Sequence, residues 1–139
     1  MSSRHYWEVE ILAGLDPIQE VWLGVSRLGL EPVGLYAEAS CMDAWFIGLV
    51  DGELVGNGKC GARNDDDDAP LFCDYGDRLG VLLDLDDGSL RFFKNGVQHG
   101  PGFPAGSVTG PVTHALQLNY FGEDFRLHSD AEWPAGHAR

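Results

Sequence analysis

Tight-turn dipeptides divide the chain into short segments, and this punctuation limits the folds that the chain can adopt. Four such dipeptides occur, namely Asp51-Gly52, Asn57-Gly58, Asp87-Gly88 and Asn95-Gly96. Asp-Gly and Asn-Gly adopt positive φ at low cost, so they join antiparallel strands through short hairpin turns. Helical periodicity is nearly absent, and glycine, a frequent turn residue, accounts for 19 of the 139 residues. The chain is therefore predicted to be all-β.

The segments beside these turns alternate between apolar and polar residues, as strands with one buried face do. The residues predicted to face the core are Trp7, Val9, Ile11, Val21, Leu23, Val25, Leu79, Val81, Leu83, Leu85, Leu90 and Phe92. Phe93 then needs cover on the opposite face of its strand. Further strands are predicted at residues 111–120 and 123–128.

The stretch DLDDGSLRFFKNG, residues 84–96, contains three aspartates close to a glycine, as calcium-binding loops do. An EF-hand loop needs glycine at position six and a bidentate glutamate at position twelve. Counted from Asp84, the glycine comes one residue early, at Gly88, and the twelfth residue is Asn95. The pattern instead predicts two turns joined by a strand over residues 89–94. No metal site is predicted.

The charge of the chain argues against two classes of partner. The net charge is -13 and the isoelectric point is about 4.4. Nucleic acids and anionic membranes both attract basic surfaces, so neither is expected to bind here. A basic protein partner is compatible with this charge. No apolar run approaches a membrane span, and the start MSSRHYWEVE lacks a signal-peptide core, which favours the cytoplasm or the nucleus.

Motifs that would indicate catalysis or a cofactor are missing or out of context. GNGKCG, residues 56–61, matches the glycine pattern of dinucleotide-binding loops, but that pattern must open a helix. Here it leads into ARNDDDD, whose carboxylates would repel a pyrophosphate. No serine-hydrolase, zinc-protease or zinc-finger spacing occurs. The chain is predicted to be a non-enzyme without a cofactor.

Cysteine and histidine residues are scattered. The three cysteines, Cys41, Cys60 and Cys73, do not form a disulfide framework, and reduced structural thiols are predicted. Cys60 and Cys73 could nevertheless lie close if they flank one loop. His114 is predicted to be a structural histidine in a strand, and the four tryptophans are predicted to be mainly core residues.

The length fits one domain over residues 1–139, with a core of about residues 4–128. Residues 61–76 read as a polar loop that carries the aspartate run Asp65–Asp68. Residues 129–139 read as an extended C-terminal tail, with Trp133 packed back on the body. A single domain of this kind is expected to be a monomer.

Several motifs together resemble the SPRY domain family. HYWEVE at 5–10 is similar to its early strand, and VWLGVSR at 21–27 follows in the same order. GDRLGVLLDLDDGSLRFFKNG at 76–96 resembles its hairpin pair. GPVTHALQLN at 110–119 and NYFGEDFRL at 119–127 are similar to its last strands. The resemblance covers residues 4–127, and the combination is specific although each motif alone is not.

This resemblance implies a bent β-sandwich of two antiparallel sheets, of the concanavalin-like jelly-roll type. It also implies a non-catalytic protein-interaction module. Such modules bind peptide segments or loop epitopes through loops at one rim, and many serve as substrate-recognition parts of ubiquitin ligases or as scaffold pieces of larger proteins.

By position, the resemblance also implies a set of partner-binding residues at this rim. They are Arg27, Leu28, Leu35, Tyr36, Gln117, Asn119 and Tyr120. Arg27 is of particular interest because its planar guanidinium can grip a carboxylate or backbone carbonyls.

Two features depart from the family pattern. Many relatives carry a further segment, such as a PRY portion, before the YWEV strand, whereas MSSR alone precedes that strand here. The aspartate run Asp65–Asp68 is also peculiar to this chain. It is interpreted either as a disordered bulge or as an acidic surface beside the binding rim that would exclude acidic partners.

Three other interpretations remain open from the sequence. A lectin-like sandwich would present an exposed tryptophan on a concave face. An enzyme would have a deep pocket with paired titratable groups whose pKa values are shifted. An intramolecular scaffold domain would have its rim covered by the parent chain.

Overall fold

The computed structural model describes residues 4–12, 22–27, 44–49, 53–56, 59–63, 75–117 and 125–137. Every regular element in these residues is a β-strand. The strands are β1 (Arg4–Ile11), β2 (Trp22–Arg27), β3 (Ala44–Gly48), β4 (Glu53–Gly56), β5 (Lys59–Arg63), β6 (Arg78–Asp84), β7 (Ser89–Lys94), β8 (Val97–Gln98), β9 (Val112–Gln117) and β10 (Phe125–His128). The predicted all-β class is confirmed.

The strands form two five-stranded sheets. Sheet A has the order β10-β1-β6-β7-β8, and sheet B has the order β5-β4-β3-β2-β9. All pairs between named strands are antiparallel. One buried cluster combines inward-facing residues of both sheets, among them Trp7, Val25 and Phe92. The predicted antiparallel β-sandwich is therefore confirmed.

Nearly all core positions that were predicted from the alternation of apolar residues are buried in the structure. Each predicted inward residue from Trp7 to Phe92 that the structure describes belongs to the central cluster, except Leu85. That residue follows the end of β6 and is 37% exposed. The strand stops at Asp84 because its carboxylate begins the turn. Val21 lies outside the described residues.

Aspartates of the 84–96 stretch act as hydrogen-bond acceptors in a turn. The Asp84 carboxylate accepts a hydrogen bond of 2.9 Å from the backbone N–H of Asp86. The Asp87 carboxylate accepts one of the same length from the N–H of Ser89. Gly88 has φ 79°, so a residue without a β-carbon closes the turn. Across the described ranges, no group of three or more potential metal ligands occurs.

The C-terminal tail covers the outer face of sheet A. Tyr6, Leu82 and Phe93 form a buried cluster there, and Trp133 packs against it. The rings of Tyr6 and Trp133 have centroids 6.0 Å apart, and those of Phe93 and His137 are 5.6 Å apart. The predicted packing of Trp133 is confirmed, and Phe93 has the cover that its position required.

The predicted loop over residues 61–76 began too early. Residues 61–63 continue β5, and Arg63 and Ala62 pair with Glu53 and Leu54 of β4. Small glycine and alanine residues weaken strand propensity, which is why the sequence pattern did not indicate this strand. Asp65–Asp68, Cys41, Cys73 and the turns Asp51-Gly52 and Asn57-Gly58 lie outside the described residues. In the described part of the chain, no helix has the length and hydrophobicity needed to cross a membrane.

Candidate partner-binding site

Two of the seven predicted partner-binding residues fall in the described part of the chain. They are Arg27, at the end of β2, and Gln117, at the end of β9. The other five lie outside the described residues, namely Leu28, Leu35, Tyr36, Asn119 and Tyr120. Contact of any of the seven with a partner stays a prediction.

The register of β2 and β9 separates Arg27 from Gln117. Arg27 pairs with Val112 at one end of the ladder, and Trp22 pairs with Gln117 at the other. Five residue steps at about 3.4 Å each place Arg27 and Gln117 about 17 Å apart. Arg27 and Gln117 therefore lie at opposite ends of the β2–β9 ladder.

Arg27 binds a distant segment of its own chain. Its Nη1 donates to the backbone carbonyl of Thr109 at 2.8 Å, and its Nη2 donates to the Thr109 hydroxyl at 2.9 Å. The guanidinium carbon lies 5.4 Å from the ring centroid of Trp45. Gly110, at φ 80°, leaves space for this side chain, since a β-carbon there would lie 2.6 Å from Nη1. Arg27 thus fixes the segment that enters β9.

Replacing Arg27 with alanine should lower the free energy of unfolding by about 1–2 kcal/mol, because two hydrogen bonds and a cation–π contact are lost. Urea unfolding would measure the loss, and amide hydrogen exchange should accelerate at residues 109–112. Arg27→Lys is the control, since it keeps the charge without the planar fork and should recover only part of the stability. Unchanged stability and exchange in Arg27→Ala would show that this contact is dispensable.

A large cavity opens at the edge of the sandwich where β1 and β9 begin, and it reaches from Trp7 of the central cluster to Tyr6 and Trp133 on the outer face of sheet A. Its volume is about 590 Å³. The described residues that line it are Arg4, His5, Tyr6, Trp7, Leu83, Leu85, Val112, Thr113, His114, Ser129 and Trp133. They come from the start of β1, the end of β6, the start of β9 and the C-terminal tail. Local sequence patterns did not indicate this cavity, because it forms only when these four segments meet.

His114 and Trp7 form the inner wall of this cavity. Their ring centroids are 5.3 Å apart with an edge-to-face angle of 61°. His114 pairs with the core residue Val25, so its side chain faces inward although it is exposed. The buried indole N–H of Trp7 has no hydrogen-bond acceptor among the described residues. His114 lies in a strand, as predicted, and its exposed ring both contacts Trp7 and forms a wall of the cavity.

A smaller cavity of about 180 Å³ continues along the same open side of the sandwich. It shares Trp7 and His114 with the larger cavity and reaches Leu127 of β10. Leu127 pairs with the core residue Val9 and therefore faces inward, yet it remains 49% exposed. The two edge strands β9 and β10 thus leave apolar surface accessible between them.

The large cavity differs in charge from the chain as a whole. Its described lining includes Arg4, His5 and His114 and contains no aspartate or glutamate. The Arg4 guanidinium lies 3.4 Å from the Asp84 carboxylate, and this carboxylate offsets part of the positive charge of Arg4. A neutral or weakly positive cavity in a chain of net charge -13 is suited to a ligand that carries hydrogen-bond acceptors.

Tyr6 contributes an uncharged wall to this cavity. Its phenol donates a 2.7 Å hydrogen bond to the Glu8 carboxylate, which also contacts Arg78 at 3.3 Å. Burial, followed by the hydrogen bond to Glu8, raises the pKa of Tyr6 well above its usual range. The phenol therefore stays protonated and bound to Glu8, so Tyr6 is not available as a general base.

Comparison with protein families gives one match over most of the chain. The model of the SPRY domain matches residues 4–128. Two curated relatives, both called F-box/SPRY domain-containing protein 1, come from Culex quinquefasciatus and Aedes aegypti. Each is 34% identical over 95 residues, which is 67% of this chain and 36% of the relative. The matched region thus spans about a third of the length of these relatives.

Two solved structures are similar in fold. The SPRY domain of human HERC1 gives a TM-score of 0.70 at 19% identity, and the match covers 94% of this chain and 77% of the other. A second human SPRY domain gives 0.64 at 21% identity, with 92% and 78% covered. Both likenesses concern the arrangement of the strands.

Proposed function

Since the chain belongs to the SPRY domain family, we propose that it is a non-catalytic module that binds a peptide segment or loop epitope of a partner protein. The match over residues 4–128 carries this proposal, because it assigns nearly the whole chain to one interaction-type domain. A sandwich uses its inward faces for the core, which leaves loops and edges for recognition.

The proposed binding rim consists of Leu28, Leu35, Tyr36, Asn119 and Tyr120, with Gln117 beside it. A preformed shallow pocket would hold an extended peptide through main-chain and Asn/Gln hydrogen bonds, and an aromatic or aliphatic side chain would anchor it. Arg27 is the weakest member of the proposed set, because its terminal nitrogens already bind Thr109 at the opposite end of β2.

The wider role is proposed by analogy with the relatives. The name of these relatives joins an F-box to a SPRY domain. We propose that this chain likewise recognises substrates for a ubiquitin ligase or acts as a scaffold part, as a monomer in the cytoplasm or nucleus. The net charge of -13 favours a partner that is basic overall and disfavours nucleic acid and anionic membranes.

A lectin-like role has less support. A lectin-like sandwich would present an exposed tryptophan on a concave face. Trp7, Trp22 and Trp45 are at most 8% exposed, and Trp133 is half-buried beneath Arg4. None of the four tryptophans is therefore an exposed residue, although Trp7 and Trp133 line the cavity at the start of β9.

A peptide-display screen on the 139-residue chain would test the proposed rim. Selected peptides should bind Tyr36→Ala and Tyr120→Ala about five- to thirtyfold more weakly, as truncation of an aromatic anchor typically costs about 1–2 kcal/mol. Val97→Ala is the control, because Val97 is 70% exposed on β8. Unchanged binding by both tyrosine variants, with the fold intact by circular dichroism, would locate binding elsewhere.

A further inference from the structure

Among the described strands, four lie at sheet edges, and they differ in how well they are protected against pairing with another chain. β8 has two residues, and β10 has four with Arg126 among them. β5 carries Lys59 and Arg63 at its ends. Short length and charged residues are the usual means by which proteins prevent an edge strand from adding a further strand.

β9 has neither form of protection. It is the longest of the four, with the six residues VTHALQ, and none of them is Asp, Glu, Lys or Arg. Among the described strands it pairs only with β2. Thr113 and His114 are exposed. The second edge of β9 is therefore suited to backbone pairing with an extended segment.

The open side of the sandwich adds side-chain recognition to this edge. Val112 and His114 pair with Arg27 and Val25, which fixes the inward face of β9. A strand added beside β9 would direct alternate side chains to the same inward face. These side chains would enter the cavity of about 590 Å³ that begins at Trp7 and His114.

We propose that the edge of β9 that no other described strand pairs with, together with this cavity, is a second binding surface that takes an extended segment of a partner protein as an added strand. The segment places an aromatic or large aliphatic side chain in the cavity and an Asp or Glu two residues away on the same face. The carboxylate lies beside Arg4, His5 and His114, and the apolar side chain contacts Trp7.

Charge complementarity is the reason for choosing an acidic segment. The described lining of the cavity includes Arg4, His5 and His114 and no carboxylate, in a chain that has 22 acidic residues. Arg4 also contacts Asp84 at 3.4 Å, so the carboxylate of the segment would share the Arg4 guanidinium with Asp84. A basic segment would find no partner for its charge in this lining. This surface lies away from Gln117 of the proposed rim, which the register places at the far end of β9. Substitution of Tyr120, which follows Gln117 in the sequence, therefore tests the rim separately from this surface.

Panning a phage library of random dodecapeptides against the 139-residue chain provides the probes. Peptides whose binding survives Tyr36→Ala and Tyr120→Ala should share an aromatic or aliphatic residue with Asp or Glu at a spacing of two. Binding of one such synthetic peptide should weaken roughly tenfold in His114→Glu, because a carboxylate is placed opposite a carboxylate. The control Val97→Glu adds the same charge to the edge strand β8 and should leave binding unchanged.

Modifying the peptide tests strand addition without altering the protein. N-methylation of the alternate residues that bond to β9 should abolish binding, whereas N-methylation of the other set should be tolerated, because a strand donates its N–H groups alternately to each side. Equal tolerance of both sets, a consensus without acidic residues, or the absence of any peptide of this class would each overturn the proposal. The proposal would also be overturned if light scattering showed a dimer that His114→Glu dissociates, because β9 would then pair with a second copy of this chain. Loss of rim binding alone would leave the proposal standing.

Discussion

Trp45→Ala should lower the free energy of unfolding by about 3–5 kcal/mol, the usual cost of deleting a large buried aromatic side chain. Trp45 is 1% exposed and belongs to the central cluster between the sheets. Its ring also supports the guanidinium of Arg27 at 5.4 Å, so the substitution removes the surface on which the segment before β9 is held. Urea unfolding followed by circular dichroism would measure the loss.

Two control variants test whether the loss of stability comes from packing in the central cluster or from removing any tryptophan. Trp45→Phe keeps an aromatic ring at the same position and should cost much less than Trp45→Ala. Trp133→Ala removes a half-buried ring from the outer face of sheet A, where less area is buried. If Trp133→Ala destabilised the domain as much as Trp45→Ala, the central cluster would not be the main source of stability.

Gly24→Ala should destabilise the domain by about 3 kcal/mol, at the upper end of the cost of overpacking. A β-carbon at Gly24 would overlap the backbone carbonyl oxygen of Trp45 on the neighbouring strand. Backbone atoms in a paired ladder cannot rotate away, so β2 and β3 would have to separate where Gly24 pairs with Phe46. Thermal and urea unfolding should both show the loss.

Gly80→Ala is the matched control for this prediction. A β-carbon at Gly80 would also overlap a neighbour, but that neighbour is the phenol of the Tyr6 side chain. A side chain can shift, at the cost of about one hydrogen bond to Glu8, so we expect a smaller loss of about 1–2 kcal/mol. Near-native stability of Gly24→Ala would mean that β2 and β3 tolerate a wider spacing than their register implies.

Local sequence patterns predicted the strands and turns because each depends on few residues. The turns at Asp87-Gly88 and Asn95-Gly96 were predicted to place glycine at positive φ. The structure has φ 79° at Gly88 and φ 85° at Gly96. Burial on the second face of β1 was less predictable. Alternation with Trp7 and Val9 places Glu8 on the opposite, polar face of β1, yet Glu8 is only 9% exposed, because Tyr6 and Arg78 contact its carboxylate.

The functional residues were harder to predict because they depend on contacts between distant segments. The resemblance implied that Arg27 contacts a partner, whereas its guanidinium donates to Thr109, which lies 82 residues further along the chain. The cavity at Trp7 and His114 likewise needs both sheets and the tail together. No periodicity or motif encodes such long-range contacts, and most of the predicted rim lies outside the described residues.

The tail that lies over sheet A has a practical consequence for choosing where to end the domain. The family match stops at residue 128, yet Ala131 and Trp133 pack on Tyr6, Leu82 and Phe93 beyond that point. Expression of residues 1–128 alone would uncover a contiguous aromatic patch, and exposed patches of this kind cause aggregation. Recombinant protein should therefore retain the chain through His137, whose ring contacts Phe93.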